Sequence, residues 1–412
     1  FLLVYIILAL TFGYTLIMAE TSLGRMTRKS PVGAFESFGN SRFISIGGWI
    51  NAIIPILIVP YYSVIGGWVI KYLIEYFAGH SKTLAGDAYF TTFISNGWST
   101  EICFIIFTLF TLGIIYAGVR NGIERVSRFM MPILIVLSLI IAVYSVTRPG
   151  AIEGVKYFLV PNFDHFSWMT VVSAMGQMFY SLSIAMGILI TFGSYMKKDT
   201  SIEKSTENVE IFDTAIAIMA GLMIIPAVFA FSGGNAETLK SGPALMFITI
   251  PKVFANMGFG TAIGIVFFLL VLFAAVTSSI ALTESAVSTF EDELHWSRKK
   301  STVFMGMVML LLGTLSCLGY GPLANFKILG MQFLDFFDFI TNSVMMPIAA
   351  IATCLLVSKV VGVDKIEEEI KKDGQAFRRK KIFCFMIKYL CPLFAAIILI
   401  SSVANAFGII TM

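Results

Sequence analysis

The chain has 412 residues, of which 57% are hydrophobic and only 13% are charged, and its mean hydropathy is +0.86. A water-soluble domain keeps roughly a quarter of its residues charged to cover its surface. This composition therefore excludes a soluble fold and indicates an integral membrane protein. The net charge of +4 is small and dispersed, which argues against a nucleic-acid partner. The five cysteines and three histidines are scattered and predict neither a disulfide framework nor a metal site.

Apolar stretches of about 20 residues, the length that crosses a bilayer as a helix, recur along the whole chain. The predicted spans are 1–23, 44–78, 101–119, 121–147, 167–197, 206–233, 260–290, 302–321, 330–359 and 382–410. A hydrocarbon core accepts only helices or closed barrels, and these runs are too long for barrel strands. The predicted fold class is therefore all-α: residues 1–412 form a single polytopic membrane helical bundle, surrounded by membrane lipid.

Basic residues predict the orientation of the bundle. The loops 25–42, 120–128, 197–204, 298–300 and 359–388 hold 22 of the 29 lysines and arginines. Short cytoplasmic loops carry the positive excess, so these loops are predicted to be cytoplasmic and both chain ends to lie outside.

Two segments between spans have distinctive compositions. The charged segment 364–381 is a predicted cytoplasmic connector, and its mixed signs predict a solvated amphipathic helix. The outer segment 234–258 contains apolar patches, which predict a lid folded back onto the bundle.

The middle of the fifth span, from Ser181 to Gly187, is poor in strong helix formers. A helix that is interrupted at the midplane exposes carbonyl and N–H groups, which bind cations and anionic substrate groups. One interpretation is an unwound joint at 181–185. The other is a continuous helix whose serines bond back to the preceding turn, and the residues leave both open.

The seventh span has a stripe of small and polar side chains at helical spacing. Its members are Ala274, Thr277, Ser278, Ala281, Glu284, Ser285, Ser288, Glu291 and Asp292. Such a stripe faces the bundle interior or water, or else it marks a close helix crossing. Thr277 and Ser278 offer hydroxyl oxygens, which are hard ligands that suit alkali cations. Glu284 requires a charged partner, unless it is buried in its protonated form.

Four further polar residues lie within or near the predicted spans. Asp213 is near the start of the sixth span and Asp338 is near the outer end of the ninth. Tyr61 and Tyr62 lie in mid-membrane instead of the interfacial belt, which predicts that one phenol points into a cavity. The sequence has no nucleophile–base pair, P-loop or histidine-rich metal set, so an enzyme is not predicted.

Long motifs in the chain resemble the neurotransmitter:sodium symporter family. They are GYTLIMAETSLGR (13–25), PYYSVIGGW (60–68), FYSLSIAMG (179–187), TFGSYMKKD (191–199) and FAAVTSSIALTESAVSTFEDELHWSRK (273–299). The chain is most similar to the bacterial amino-acid transporters of this family, which have eleven helices. The resemblance implies a leucine-transporter-like fold of inverted repeats. It also implies that the chain begins at the family's second helix, so that the first helix is missing.

The resemblance further implies two sodium sites. The first would use Ser181 and Asp213, where the fixed carboxylate of Asp213 makes transport independent of chloride. The second would use the Ala274 carbonyl with the Thr277 and Ser278 hydroxyls. Tyr5 and Glu20 match family positions near the anion site and in the second helix.

For the substrate, the resemblance implies a pocket between the two sodium sites. Its residues would be Ile58, Tyr62, Tyr180, Ser183, Met186, Ser278 and Leu282. Tyr62 would lie near the substrate carboxylate, and Met186 replaces a phenylalanine of the leucine-transporting relative. Because a flexible thioether tolerates varied shapes, the expected substrate is a hydrophobic or aromatic L-amino acid.

Gates are implied at both ends of the pathway. The outer gate would pair Asp338 with Tyr180. The inner gate would contain Ser194, Tyr195, Glu284 and Asp292, with arginine partners in the missing N-terminal part.

Together these features predict a sodium-coupled symporter in the inner (plasma) membrane, with a possible homodimer as its assembly. Two alternatives stay open at this stage. Buried carboxylates could couple transport to protons, or the chain could be a sensor that binds an amino acid without transporting it.

Overall fold

Long apolar helices form the fold of the computed structural model, which describes residues 1–39, 41–163, 166–234, 242–374 and 376–409. Nine spans are continuous in the described residues, and we label them α1 to α4 and α6 to α10. They are α1 Leu2–Thr27, α2 Arg42–Phe77, α3 Gly97–Tyr116, α4 Val119–Val146, α6 Ile202–Ser232, α7 Gly260–Leu294, α8 Arg298–Leu318, α9 Phe333–Val361 and α10 Lys380–Ala406. The fifth span consists of two helices, α5a Trp168–Ser181 and α5b Ile188–Tyr195. Nine of the ten predicted spans are thus matched by continuous helices in the described residues, with ends shifted by a few residues, and the fifth is matched by the pair α5a and α5b.

The spans pack in two groups that meet along the centre of the protein. In one group, α2 packs against α3, α7 and α8. In the other, α1 packs against both halves of the fifth span and against α6. The helices α9 and α10 pack against each other and join the two groups, because α9 contacts α2 and α10 contacts α5a.

Glycines permit the closest helix contacts. A Cβ atom at Gly67 of α2 would lie 2.6 Å from the main-chain nitrogen of Phe104 in α3. A Cβ atom at Gly24 of α1 would lie 2.0 Å from the carbonyl oxygen of Ile190 in α5b. Any larger residue at either position would force the two backbones apart, so these glycines set the helix separations.

The outer segment 242–258 folds back onto the bundle. Its helical part, Gly242–Ala255, brings Phe247 into contact with the rings of Trp68 and Phe90, which also contact each other. The Tyr72 hydroxyl donates a hydrogen bond of 2.7 Å to the Phe247 carbonyl. The predicted lid is therefore confirmed for 242–258, and its remaining residues 235–241 lie outside the described part.

Candidate functional site

The fifth span is broken in mid-membrane. Helix α5a ends at Ser181 and α5b begins at Ile188. Between them Ser183, Ala185 and Gly187 have left-handed φ angles of 53°, 59° and 71°. Of the two interpretations of this stretch, the unwound joint is therefore correct, although it covers 182–187 instead of 181–185.

A buried carboxylate of α1 supports this break. Oxygen Oε1 of Glu20 accepts a hydrogen bond of 2.8 Å from the Ala185 main-chain N–H, and Glu20 is fully buried. The two helices approach closely here, since a Cβ atom at Gly193 would lie 2.5 Å from the Thr21 carbonyl oxygen. The unwound backbone is thus stabilised from α1, which satisfies an N–H group that the broken helix leaves free.

The first pair of predicted sodium ligands meets at the end of α5a. The Ser181 hydroxyl lies 2.9 and 3.0 Å from the two carboxylate oxygens of Asp213, which is in α6. Tyr5 of α1 donates to both partners, at 3.0 Å each. Three helices therefore contribute oxygen atoms to one half-buried cluster. Hydroxyl and carboxylate oxygens are the hard ligands that a cation such as sodium prefers.

The second set of predicted sodium ligands lies on one face of α7. The Thr277 hydroxyl donates to the Ala274 carbonyl at 3.0 Å and to the Phe273 carbonyl at 3.1 Å. Since these bonds use the hydroxyl hydrogen, the lone pairs of the Thr277 oxygen stay free for a cation. Ser278 is exposed to the central cavity and adds a second hydroxyl.

One cavity collects all the residues that were predicted to surround a substrate. It contains about 390 Å³ of empty space, including its open mouth. Its lining residues are Ile58, Tyr62, Tyr180, Ser183, Met186, Ile188, Ser278, Ala281 and Leu282. The Tyr62 and Ser278 hydroxyls both belong to this wall. The cavity thus combines a largely apolar wall with a few hydroxyls and the unwound main chain, which is the composition of a small-molecule site.

On the outer side of the cavity, Asp338 has a partner that the sequence did not predict. It accepts a hydrogen bond of 3.1 Å from the Tyr61 hydroxyl and one of 2.5 Å from the Asn342 amide. Tyr180, the predicted partner, is 40% exposed and lines the cavity. Of the two tyrosines in mid-membrane, Tyr62 therefore points into the cavity and Tyr61 contacts the outer carboxylate.

On the inner side, Glu284 is fully buried and has three polar contacts. Tyr195 donates a hydrogen bond of 2.7 Å to it, and Arg298 binds its two oxygens at 3.0 and 2.5 Å. The partner of Glu284 in the structure is thus Arg298, at the start of α8, and not an arginine of the N-terminal part, which the family resemblance implied. The sequence signal was a lone arginine 14 residues after Glu284, at the next helix start.

The other two predicted inner residues contact the segment that follows α1. The Ser194 carbonyl accepts from Arg28 at 3.0 Å, and Asp292 accepts from the Ser30 main-chain N–H at 2.5 Å. These contacts join the inner end of α1 to α5b and to α7. The structure therefore brings all four predicted inner residues to one end of the protein, in two separate clusters.

Two cavity residues, Ile188 and Ala281, were not predicted. Ile188 begins α5b directly after the break, so its position depends on where the helix resumes. Ala281 belongs to the α7 stripe, and its four-residue spacing from Thr277 was the available signal. Both are aliphatic and add to the apolar wall.

A broken helix beside a central, mainly apolar cavity that is flanked by oxygen clusters is the arrangement of secondary transporters. In the described residues, no group of three or more histidine, cysteine or acidic side chains could hold a metal ion of another kind.

Comparisons with known proteins agree with this class. Residues 90–409 match the model of the sodium:neurotransmitter symporter family. The chain is 31% identical to an uncharacterized sodium-dependent transporter, YhdH, of Bacillus subtilis, over 100% of this chain and 90% of the relative. It is 23% identical to the sodium-dependent dopamine transporter of Bos taurus, over 98% of this chain and 64% of the relative.

Among solved structures, the chain is similar to MhsT, which was crystallised in complex with L-phenylalanine. The TM-score is 0.86 and the identity 32%, over 97% of this chain and 91% of that chain. The chain therefore belongs to the sodium:neurotransmitter symporter family. It is a multi-pass, sodium-dependent symporter with the leucine-transporter fold, and members of this family are transporters, not enzymes.

Proposed function

We propose that the protein imports a hydrophobic or aromatic L-amino acid together with sodium, and that it does so without chloride. The observation that carries this proposal is the central cavity, in which aliphatic side chains and a few hydroxyls surround the broken fifth span. It gains support from the relative MhsT, which is 32% identical and whose structure contains L-phenylalanine.

The cavity wall supports an apolar substrate side chain. Ile58, Met186 and Leu282 are buried there, and Met186 can adjust to side chains of different shape because its thioether is flexible. The Tyr62 and Ser278 hydroxyls form the polar end, where Tyr62 would donate to the substrate carboxylate. The unwound main chain at Ser183 adds hydrogen-bonding groups to the same cavity.

The cluster of Tyr5, Ser181 and Asp213 supports sodium binding without chloride. Asp213 supplies a fixed negative charge next to the proposed ligand Ser181. A carboxylate in this place balances the charge of the cation, so no anion is required. The second proposed sodium site uses the Ala274 carbonyl with the Thr277 and Ser278 hydroxyls, on the side of the cavity formed by α7.

Transport then follows from two alternating states. Sodium binding favours a cavity that is open to the outside, and the substrate completes the site. The group of α1, α5 and α6 then moves against the group of α2, α3, α7 and α8 to open the inner side. One charge that moves down a potential of about 100 mV releases about 2.3 kcal/mol, which is the energy source for accumulation.

The proton-coupled alternative has less support. Of its two candidate carboxylates, Glu284 is engaged by Arg298 and Tyr195 at the inner end and is not among the residues that line the cavity, and Asp213 belongs to the proposed first sodium site. Uptake in sodium-free buffer at several pH values distinguishes the two mechanisms. A sensor would bind the amino acid with no uptake into sealed vesicles.

Binding to the purified protein tests the proposed site. Tyr62→Phe removes the hydroxyl proposed for the substrate carboxylate and should weaken sodium-dependent binding of L-phenylalanine by about tenfold or more, the effect of losing a hydrogen bond to a charged group. Tyr116→Phe, at an exposed position of α3, is the matched control. Equal affinities of the two variants would contradict the proposed site.

We also propose that the protein resides in the inner (plasma) membrane, which the nine long apolar helices of its described part and its basic inner loops support. The homodimer stays a prediction.

A further inference from the structure

The described residues between α9 and α10, 362–374 and 376–379, are attached to the bundle; we use the name cytoplasmic connector for these residues from here on. Its helix, Val363–Ile370, buries the apolar side chains of Val363, Ile366 and Ile370. The sequence predicted a solvated amphipathic helix over 364–381. The structure differs, because the helix ends at Ile370 and one of its acidic residues, Glu369, is only 2% exposed.

The burial of Glu369 is explained by Arg25, at the inner end of α1 and only 1% exposed. Arg25 Nε donates to Glu369 Oε1 at 2.7 Å, and its Nη2 donates to the Glu369 carbonyl. The third donor, Nη1, binds the Thr200 carbonyl at 2.5 Å in the loop between α5b and α6. One guanidinium therefore joins three segments, and Lys372 adds a second cation to Glu369 at 2.5 Å.

A second attachment holds the other end of the connector. Glu203, in the first turn of α6, accepts from the main-chain N–H groups of Arg378 and Arg379 at 3.1 and 3.2 Å, and from Tyr14 at 3.0 Å. The Arg379 guanidinium binds Glu210, further along α6, at 3.1 Å. The connector is thus fixed to α1 and α6 at both ends.

These attachments all reach the group of helices that moves in the alternating cycle. The connector itself is the continuation of α9, which packs against α2 of the other group. When α1 and α6 tilt to open the inner side, the contact between Arg25 and Glu369 must therefore stretch or break. This ion pair can break because it lies at the inner end of the bundle. Once it is separated, cytosolic water hydrates both charges, so neither stays buried without a partner.

We propose that the cytoplasmic connector is a clamp that holds the inner side of the transporter closed. The buried pair of Arg25 and Glu369 is its lock, and Arg25 is a positioning residue for alternating access. A buried ion pair adds little net stability but imposes a defined geometry, which is the property that a lock requires. The proposal rests on sodium-dependent transport and not on the identity of the substrate.

Thiol labelling from the cytoplasmic side tests the clamp. Ser288→Cys places a reporter on α7, where the native serine is buried beside Thr191 of α5b. Cys384, the only native cysteine that is not buried among the described residues, is replaced by serine. In inside-out vesicles containing sodium, Glu369→Gln should raise the rate at which a membrane-impermeant reagent labels the reporter thiol by about fivefold or more, the usual lower limit of coupling between sites.

Two milder variants keep the test decisive if Glu369→Gln does not fold. Arg25→Lys keeps the buried charge but replaces the planar guanidinium, which binds its acceptors through three separate nitrogens, by a single ammonium nitrogen that cannot reproduce this geometry. It should therefore raise the rate in the same direction. Lys372→Gln changes a side chain that is 48% exposed and should give a smaller increase.

The matched control is Glu368→Gln, an exposed carboxylate of the same helix, which should leave the rate unchanged. A rate in Glu369→Gln or Arg25→Lys within about twofold of the parent, even with lower thermal stability, would show that the pair is only structural and would overturn the proposal. Because the assay requires only sodium, it stays valid if the proposed amino-acid substrate is wrong.

Discussion

The hydroxyl of Ser181, the last residue of α5a, lies within 3.0 Å of both carboxylate oxygens of Asp213 in α6. This contact joins the break of the fifth span to a charge on the neighbouring helix. Asp213 is the one acidic residue among the three that meet here, Tyr5, Ser181 and Asp213, and its carboxylate therefore supplies the negative charge of the proposed first sodium site.

Replacing this charge should change the ion requirement of transport. Asp213→Asn keeps the shape of the side chain but removes the charge that balances sodium. A hydrogen bond to a charged group contributes about 1.5–3 kcal/mol, so we expect the apparent sodium affinity to fall by about tenfold or more, with chloride partly restoring uptake. Uptake in chloride and in gluconate buffers measures this, and sodium and chloride dependence identical to the parent would contradict the assignment.

The left-handed conformation of Ala185 predicts an unusual effect of glycine. The left-handed conformation raises the energy of a residue that has a Cβ atom by roughly 1–2 kcal/mol, because the Cβ approaches the following carbonyl oxygen. Glycine has no Cβ atom and avoids this penalty. Ala185→Gly should therefore stabilise the protein by about 1 kcal/mol. Ala174→Gly, in the interior of α5a, should instead destabilise it by a similar amount. Thermal unfolding in detergent measures both variants, and two shifts of the same sign would disprove the proposed strain.

The side chain of Met186 should control which substrates fit the cavity. Met186→Phe puts a rigid ring in place of the thioether, which should reduce tryptophan uptake by about tenfold relative to leucine uptake, since pocket contacts of this size contribute about 1–3 kcal/mol. Met307→Phe, on the exposed face of α8, is the control. Competition between the two amino acids measures the ratio, and a ratio unchanged by Met186→Phe would remove Met186 from the substrate site.

The inner ion pair should show strong energetic coupling. Arg298→Met leaves the fully buried Glu284 without its bidentate partner, which should lower stability by about 3 kcal/mol or more. The double variant Glu284→Gln with Arg298→Met should recover much of that loss, because no buried charge stays unpaired. Unfolding of the single and double variants measures the coupling. Additive losses would mean that the two residues act independently.

The spans could be predicted from the sequence because hydropathy is a local property of about 20 residues. For the fifth span, the sequence left an unwound joint and a continuous helix both open. Its weak helix formers begin at Ser181, but the observed joint begins one residue later and continues to Gly187. A tertiary contact supports the joint, because Glu20 of α1 accepts from the Ala185 N–H, and no local pattern predicts this contact.

Contacts between distant residues were the part that sequence could not supply. Arg25 and Glu369 are separated by 344 positions, and nothing in the local pattern pairs them. The resemblance to a family supplied the cavity residues, but it placed the partner of Glu284 outside the chain, whereas Arg298 occupies that role. Tyr61 and Asp338 show the same limitation, because both lie in apolar helices with several possible partners.

Sodium-coupled transport of an amino acid is most directly tested by uptake of labelled L-phenylalanine, L-tryptophan and L-leucine into proteoliposomes. Sodium or potassium is supplied outside, with chloride or gluconate as the anion. The account predicts accumulation of at least one of these amino acids with sodium outside, and equal accumulation with either anion. Equal uptake with sodium and potassium, or uptake that requires chloride, would contradict it.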